Sequence, residues 1–215
     1  ILSCSDTETE ILRELCPEVK VFYIPPYAVR VDRALEFNAR QRKDVLFVGG
    51  FSHPPNTDGI IWFVRDVWPS IRARLPGVVF KVAGADPPPE IKALASESVR
   101  LLGFVKDDQL KRLYDTSRLV VIPLRYGAGV KGKTVEAMAH GVPFVSTPWG
   151  VEGMPGIREI LDPAQVTESL ADGIVALYED AARLEEISRR GRDYVAVRFN
   201  RENIASSFQR VFQDL

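Results

Sequence analysis

A glycine-rich turn with three basic side chains follows a short apolar run at residues 119–123, which is typical of a buried parallel strand. A helix predicted to begin near residue 130 would direct its free N–H groups and the positive end of its dipole at this turn. The turn therefore has the chemistry of a phosphate-binding site. We predict that Arg125 and Lys133 stabilise developing negative charge and that Gly127, Gly129, Val130, Lys131 and Thr134 contact the ligand.

Glu136 lies about one helical turn beyond this basic cluster. A carboxylate repels phosphate but accepts hydrogen bonds from hydroxyl groups, so the combination favours a sugar nucleotide over a simple phosphate. We assign catalytic roles to Arg125, Lys133 and Glu136. Two simpler interpretations stay open here: the lysines form a solvated helix face, or Glu136 pairs at the surface with His140 four residues later.

Alternating strands and helices must position these residues. The sequence predicts strands at 45–49, 78–83, 99–102, 119–123 and 143–147, with a short strand near 158–161. Helices are predicted near 57–75, 89–96, 107–116, 130–140, 167–180, 181–197 and 201–213. This alternation with short connections predicts an α/β fold, a Rossmann-like doubly wound parallel sheet with helices on both faces.

In the usual doubly wound order the first and fourth strands are neighbours, and ligands bind in the crevice beyond their carboxyl ends. The loop after the first strand would then face the turn that contains Gly127 and Gly129. The ends of the second and third strands would supply contacts to a nucleobase. We predict that these loops bind the ligand through Gly49, Gly50, Phe51, Gly84, Phe104 and Val105.

Residues 1–43 read differently from the rest of the chain. They predict a strand at 1–4, a helix at 6–15 capped by Asp6, and a strand at 19–24. Residues 27–43 read as a basic linker that contains Arg30, Arg33, Arg40, Arg42 and Lys43. We expect residues 1–43 to be the end of an N-terminal acceptor-side domain with its linker, residues 44–215 to be a nucleotide-sugar-binding domain, and the chain, which begins inside an apolar run, to be a fragment.

Composition excludes several classes of protein. Lys and Arg total 28 against 29 Asp and Glu, so the net charge of −1 gives no general attraction for nucleic acid. Cys4 and Cys16 are too few for a disulfide framework or a zinc site, which favours a reducing cytoplasm. The sequence has neither a run of about eighteen apolar residues nor a signal-peptide pattern.

Two motifs resemble the retaining glycosyltransferases of family 4, which have the GT-B fold of two facing Rossmann-like halves. Residues 133–145 read KTVEAMAHGVPFV, similar to the family's Lys and Glu-Ala-Met-Ala-x-Gly-x-Pro-Val-Val, and residues 48–56 read VGGFSHPPN, similar to its first donor-domain loop. The resemblance implies that Glu136 binds the ribose. The family's E-x7-E pattern is incomplete, because Ala128 stands where its first, sugar-contacting glutamate is expected.

The resemblance further implies hexosyl transfer, with retention, from a nucleotide-diphosphate sugar such as a UDP- or GDP-sugar to a hydroxyl group. We expect no cofactor. No two aspartates are separated by one residue, so the metal-binding D-x-D motif is absent and a metal-free mechanism is expected. The acceptor, a sugar, lipid or other hydroxyl compound, would bind through the N-terminal domain, so this chain alone is expected to be inactive. A cytoplasmic enzyme is expected, with room for peripheral contact at the inner face of the membrane.

Three alternatives stay open. The first is an enzyme of the same fold that isomerises or hydrolyses a sugar nucleotide. The second is a non-catalytic nucleotide-sugar sensor or assembly subunit, because Ala128 replaces a glutamate. The third is an NAD-binding Rossmann domain, since residues 127–132 match G-x-G-x-x-G, although three residues separate this motif from Pro123 and no acidic residue ends the next strand.

Three further residues have assignments. Asn56 most simply caps the helix after it, His53 is an exposed loop residue, and Glu152 is a candidate sugar contact.

Overall fold

The computed structural model describes residues 1–31, 36–162, 165–167 and 169–213. Strands β1 (Leu2–Ser3) and β2 (Phe22–Tyr23) form a small parallel sheet. The large sheet is also parallel and has the order β5-β4-β3-β6-β7. Its strands are β3 (Asp44–Val48), β4 (Phe80–Ala83), β5 (Val99–Gly103), β6 (Ser117–Ile122) and β7 (Phe144–Ser146).

Ten α-helices are assigned in the described residues. They are α1 (Asp6–Leu15), α2 (Pro54–Trp62), α3 (Trp68–Arg74), α4 (Pro89–Lys92), α5 (Asp107–Thr116), α6 (Gly132–Ala139), α7 (Ile157–Ile160), α8 (Leu170–Glu179), α9 (Ala181–Arg198) and α10 (Arg201–Gln213). The α/β prediction is confirmed.

The central strands are buried on both faces because helices cover each side of the sheet. Val45, Leu46 and Phe47 of β3 are fully buried, and so is most of β6. This burial explains why both strands appear in the sequence as continuous apolar runs rather than as an alternating pattern. β3 and β6 are adjacent, with Val45 opposite Leu119, which confirms the predicted winding and places both glycine loops at one edge of the sheet.

The predicted helix 57–75 is present but begins earlier and is interrupted. It starts at Pro54, and a π-helical turn at Phe63–Val67 joins α2 to α3. The amide of Trp68 donates to the carbonyl of Phe63, five residues back. Pro69 has no N–H to continue the ordinary α-helical pattern, which accounts for a wide turn at this point.

Two local predictions are wrong. Residues 157–160 form helix α7 rather than a strand, because Gly156 has a φ of 62° and the two isoleucines recur three residues apart, with Ile157 buried while Arg158 and Glu159 are exposed. Asp6 does not cap α1. The cap is Ser5, whose Oγ accepts a hydrogen bond from the amide of Glu8, and Asp6 is the first helical residue.

The predicted linker is partly packed rather than solvated. Ala39 and Arg42 are buried, and the Arg42 guanidinium donates to the carbonyl groups of Tyr114 (2.7 Å) and Ser117 (3.2 Å) beneath the large sheet. Arg33 lies outside the described residues. Helix α1 connects the two strands of the small sheet, and its first residue, Asp6, donates its backbone N–H to Gly153 O. Helix α10 packs against β2. The division of the chain at residue 43 stays a prediction.

Gly59 allows α2 to lie directly on the end of β6. An ideal β-carbon at this position would stand 2.3 Å from the carbonyl oxygen of Pro123. We expect Gly59→Ala to lower the free energy of unfolding by about 1–3 kcal/mol in urea denaturation, because backbone must move to admit the methyl group. This range is the net change, because the cost of moving the backbone should exceed the roughly 1 kcal/mol that alanine gains in helix propensity.

Gly191→Ala is the matched control for this prediction. Gly191 is also a buried helical glycine, but a β-carbon there would meet side-chain atoms of Met138, the nearest being Cγ at 3.0 Å, and none of its nearest contacts is a backbone atom. We expect its stability to be unchanged or slightly raised. A Gly59→Ala protein as stable as its parent would contradict the proposed contact.

Candidate functional site

The candidate site is the crevice beyond the carboxyl ends of β3 and β6. Gly49 directly follows β3 and packs tightly against Asn56 and Lys133. An ideal β-carbon on Gly49 would lie 2.9 Å from Asn56 Nδ2 and 3.1 Å from Lys133 Cε. Gly127 and Gly129 form the second turn with backbone φ values of 123° and 75°, which residues other than glycine rarely adopt. Gly127 faces Pro55 at the start of α2. The adjacent strands β3 and β6 place both glycine loops at one edge of the sheet, and direct contact between the two loops stays a prediction.

Lys133 is the central cation of this crevice. Its ammonium donates to Asn56 Oδ1 at 2.8 Å and lies 5.5 Å from the centre of the Phe47 ring. Within the described part of the chain it forms no ion pair with a carboxylate. Burial, with a smaller contribution from Lys131, lowers the pKa of Lys133 to about 8, while Glu136 opposes this shift.

Asn56 is a site residue that the sequence analysis placed wrongly. The cap of α2 is His53, and Asn56 lies inside the first turn with only 3% of its surface exposed. Its amide nitrogen donates to Gly50 O at 2.7 Å while its amide oxygen accepts from Lys133. Asn56 therefore connects the first glycine loop to the start of α6. His53 is exposed, as predicted.

The start of α6 offers backbone donors to the crevice. Lys131 is the cap residue without a side-chain cap, and no hydrogen bond is found for the amides of Gly132 and Lys133 in the described residues. Both donors of Thr134 already have protein partners, because its amide donates to Lys131 O and its hydroxyl donates to Gly150 O at 2.6 Å. Tyr27 packs on Gly132, whose ideal β-carbon would stand 3.1 Å from the Tyr27 ring.

Lys131 closes the second glycine turn from within. It is 7% exposed, and its ammonium donates to the carbonyl oxygens of Gly127 and Gly129 and lies 3.5 Å from Glu152 Oε2. Burial lowers the pKa of Lys131 and the Glu152 carboxylate opposes the shift. Direct ligand contacts by Lys131, Thr134 and the buried Val130 stay predictions, since the polar side chains of Lys131 and Thr134 both have protein partners already.

Arg125 lies at the exposed rim of the crevice. Its guanidinium forms a bidentate ion pair with Asp58 on α2, and it stands 5.8 Å from the centre of the Trp62 ring. The Asp58 hydrogen bond raises the pKa of Arg125 and lowers that of Asp58. The charge of Arg125 is therefore partly balanced, and its catalytic role stays a prediction.

Glu136 is held by a residue on the neighbouring helix. The hydroxyl of Tyr114 donates to Glu136 Oε2 at 3.3 Å, and the Tyr114 ring stacks on His140 with centroids 4.4 Å apart. The alternative in which His140 pairs with Glu136 is thus replaced by a stack on Tyr114. Burial raises the pKa of Glu136, although Tyr114 and Lys133 both act to lower it. Periodicity could identify Tyr114 as a core residue but not as a partner of Glu136.

The predicted nucleobase end is less enclosed. Gly84 packs on the first loop, since its ideal β-carbon would lie 2.2 Å from Gly49 O, and Phe51 is buried beside it. Phe104 is 74% exposed and lines a cavity of about 420 Å³ together with Val105 and Leu102. Contacts of these residues with a nucleobase stay predictions.

Two features are absent from the described residues. No three His, Cys, Asp or Glu side chains lie close enough together to bind a metal ion. No helix combines the length and the apolar character needed to cross a bilayer.

Comparison with protein families identifies the chain. The family model described as glycosyl transferases group 1 matches residues 42–180. The chain belongs to this family. The group 1 glycosyltransferase domain is also 27% identical over 172 residues to an uncharacterised 44.6 kDa protein in the cps region of Klebsiella pneumoniae, covering 76% of this chain and 44% of that protein.

Solved structures have the same fold. S. aureus TarM, in a complex with fondaparinux, α-GlcNAc-glycerol and UDP, matches with a TM-score of 0.79 at 16% identity, over 98% of this chain and 43% of TarM. Anabaena HepE, in complex with UDP and glucose, matches with a TM-score of 0.70 at 17% identity, over 100% of this chain and 63% of HepE. The group 1 glycosyltransferase domain thus has the architecture of one half of a GT-B enzyme and spans less than two thirds of these proteins.

The lowered pKa of Lys133 makes a prediction about stability. The unfolded chain holds a proton on Lys133 up to about pH 10.5 and the folded chain only up to about pH 8, so the buried charge destabilises the fold most below pH 8. We expect the free energy of unfolding of the wild type to rise relative to Lys133→Met between pH 8 and 10.5. Urea denaturation at several pH values tests this, and a constant difference between the two proteins would contradict it.

The Tyr114 hydrogen bond makes a second prediction. Tyr114→Phe should raise the pKa of Glu136 further, because it removes a donor that favours the charged carboxylate. Carbon-13 NMR titration of the glutamate carboxylates measures this change. Tyr178→Phe is the control, since it removes a hydroxyl that donates to Lys43 O and should leave Glu136 unaffected. Equal titration curves in all three proteins would disprove the interaction.

Proposed function

We propose that the chain is the donor-binding half of a retaining, metal-independent glycosyltransferase that uses a nucleotide-diphosphate sugar. The observation that carries this proposal is the partly buried Lys133 ammonium, which faces the crevice without a carboxylate partner in the described residues. One of its three N–H donors binds Asn56, and a diphosphate would satisfy the others. The free amides of Gly132 and Lys133 at the start of α6 would bind the same anion.

These groups also suit the chemistry of transfer. Negative charge accumulates on the departing nucleotide diphosphate as the sugar–oxygen bond breaks. Lys133 and the α6 amides would stabilise that charge from fixed positions, and a buried site strengthens the effect because little water competes. A fixed ammonium can supply this stabilisation without a metal ion. Retention of anomeric configuration is proposed from the resemblance to family 4.

Glu136 is proposed to bind the ribose hydroxyl groups. Tyr114 donates to one carboxylate oxygen and orients the side chain, while the other oxygen remains available to accept from hydroxyls. The presence of UDP in the structures of TarM and HepE supports a UDP-type donor. The acceptor is proposed to bind in the remainder of the protein, because this chain spans 44% of its K. pneumoniae relative. We therefore expect donor binding by this chain without efficient transfer.

A sensor that recognises only the nucleotide is the second candidate. The second glycine turn presents Ala128, an exposed methyl group, and has no carboxylate of its own for a sugar. Such a protein would bind a nucleoside diphosphate and its sugar conjugates with about equal affinity. A transferase should prefer one sugar over its epimers by at least about tenfold.

Calorimetric titration with UDP and GDP, in the presence of EDTA, tests the proposal. We expect one of them to bind the wild type and Lys133→Met to weaken that binding by about 1.5–3 kcal/mol, the range for hydrogen bonds that involve a charged group. Lys43→Met is the matched control, because Lys43 is an exposed residue before β3, at the opposite edge of the sheet. Binding of NADH in the absence of any nucleoside diphosphate binding would overturn the proposed function.

A further inference from the structure

A second cavity, of about 430 Å³, opens beside the glycine turn on the side of the loop that follows β7. Its polar and aromatic lining includes Thr7, Trp149, Glu152, Arg158 and Glu159. Lys131 lies between this cavity and the crevice, because its ammonium contacts both Glu152 and the carbonyl groups of Gly127 and Gly129. Glu152 is therefore linked to the second glycine turn through the Lys131 ammonium.

Trp149 is held firmly at this cavity. It belongs to a 3₁₀ turn, Pro148–Val151, that Thr134 anchors through its hydrogen bond to Gly150 O. Gly150 packs so tightly that an ideal β-carbon would stand 2.0 Å from Ser146 Oγ. The Trp149 ring is nevertheless 44% exposed. A rigid backbone thus presents a large aromatic surface to solvent beside a charged residue.

Glu152 has unused hydrogen-bonding capacity. One carboxylate oxygen contacts Lys131, and in the part of the chain that the structure describes the other accepts no hydrogen bond. The side chain is 28% exposed, so a ligand in the cavity can reach it. The contact with the Lys131 ammonium holds the carboxylate in position beside the cavity.

An exposed aromatic ring beside a carboxylate is a combination that can bind a pyranose ring. One face of such a ring consists largely of C–H groups that pack on an aromatic surface, while its hydroxyl groups donate to carboxylates. We propose that this cavity binds the sugar of the donor, with Trp149 beneath the ring, Glu152 accepting from a hydroxyl and Lys131 as a positioning residue. The inference rests on the proposed function, since a diphosphate at the glycine turn brings its sugar to this cavity.

The experiment compares affinities for UDP, UDP-glucose, UDP-galactose and UDP-N-acetylglucosamine, and for GDP and GDP-mannose, by calorimetry on the 215-residue chain. The quantity of interest is the ratio of each sugar nucleotide's affinity to that of its bare diphosphate. Glu152→Gln and Trp149→Leu should each reduce the best ratio by about tenfold while leaving affinity for the bare diphosphate within about twofold. Glu179→Gln, an exposed change at the end of α8, should alter neither quantity.

Tryptophan quenching supplies an independent measurement. Trp149 is the most exposed of the three tryptophans, since Trp68 is buried and Trp62 is partly buried. The preferred sugar nucleotide should protect the wild type from acrylamide quenching, and the bare diphosphate should not. This difference should shrink in Glu152→Gln, which keeps Trp149 as the reporter, and an unchanged difference in that variant would contradict the contact between Glu152 and the sugar.

The possible results distinguish this inference from the proposed function. Diphosphate binding with unchanged sugar ratios in both variants would overturn the sugar site and leave the donor site intact. Binding of methyl glycosides without nucleotide, lost in Glu152→Gln, would also overturn it by indicating an acceptor-type sugar. Failure of every nucleoside diphosphate and sugar nucleotide to bind the wild type would overturn the proposed function itself.

Discussion

The hydrogen-bond chain from Lys133 through Asn56 to Gly50 is the constraint on which the crevice depends. It joins the start of α6 to the loop after β3, two segments more than seventy-five residues apart in sequence. The glycine at 49 follows from it, because any side chain there would collide with Asn56 and Lys133. Desolvating a lysine without an ionic partner is unfavourable for folding, and an anionic ligand reverses that penalty on binding. The partly desolvated Lys133 thus lowers the stability of the fold and raises the affinity for an anionic ligand.

The basic residues of the motif divide into two roles that their spacing does not reveal. Lys133 faces the crevice with an amide as its partner, whereas Lys131 points back into the turn and is neutralised by Glu152. Arg125 is engaged at the rim by Asp58. Three positive charges in nine residues therefore leave one ammonium group without a carboxylate beside it in the described structure. This arrangement concentrates attraction for an anion at one point beside the free amides of α6.

Much of this architecture was predictable because its causes are local. The apolar runs of β3 and β6 identified central strands, and the doubly wound order then placed both glycine loops together. The errors at the site concern side chains whose partners are distant in the sequence. Asn56 looked like a helix cap because Asn favours that position, but two prolines allowed α2 to start earlier and left Asn56 to reach across the crevice. Tyr114 bonds to Glu136 across twenty-two residues, a pairing that no local pattern encodes.

Tyr27 connects the crevice, through a packing contact, to the part of the chain before the large sheet. Its ring lies against Gly132, the first residue of α6, at a distance that leaves no gap between them. Strand β2 ends shortly before Tyr27, so a short segment connects the small sheet to the first turn of α6. A change of side chain at Tyr27 would therefore reach the amide groups that face the proposed diphosphate without altering the crevice itself.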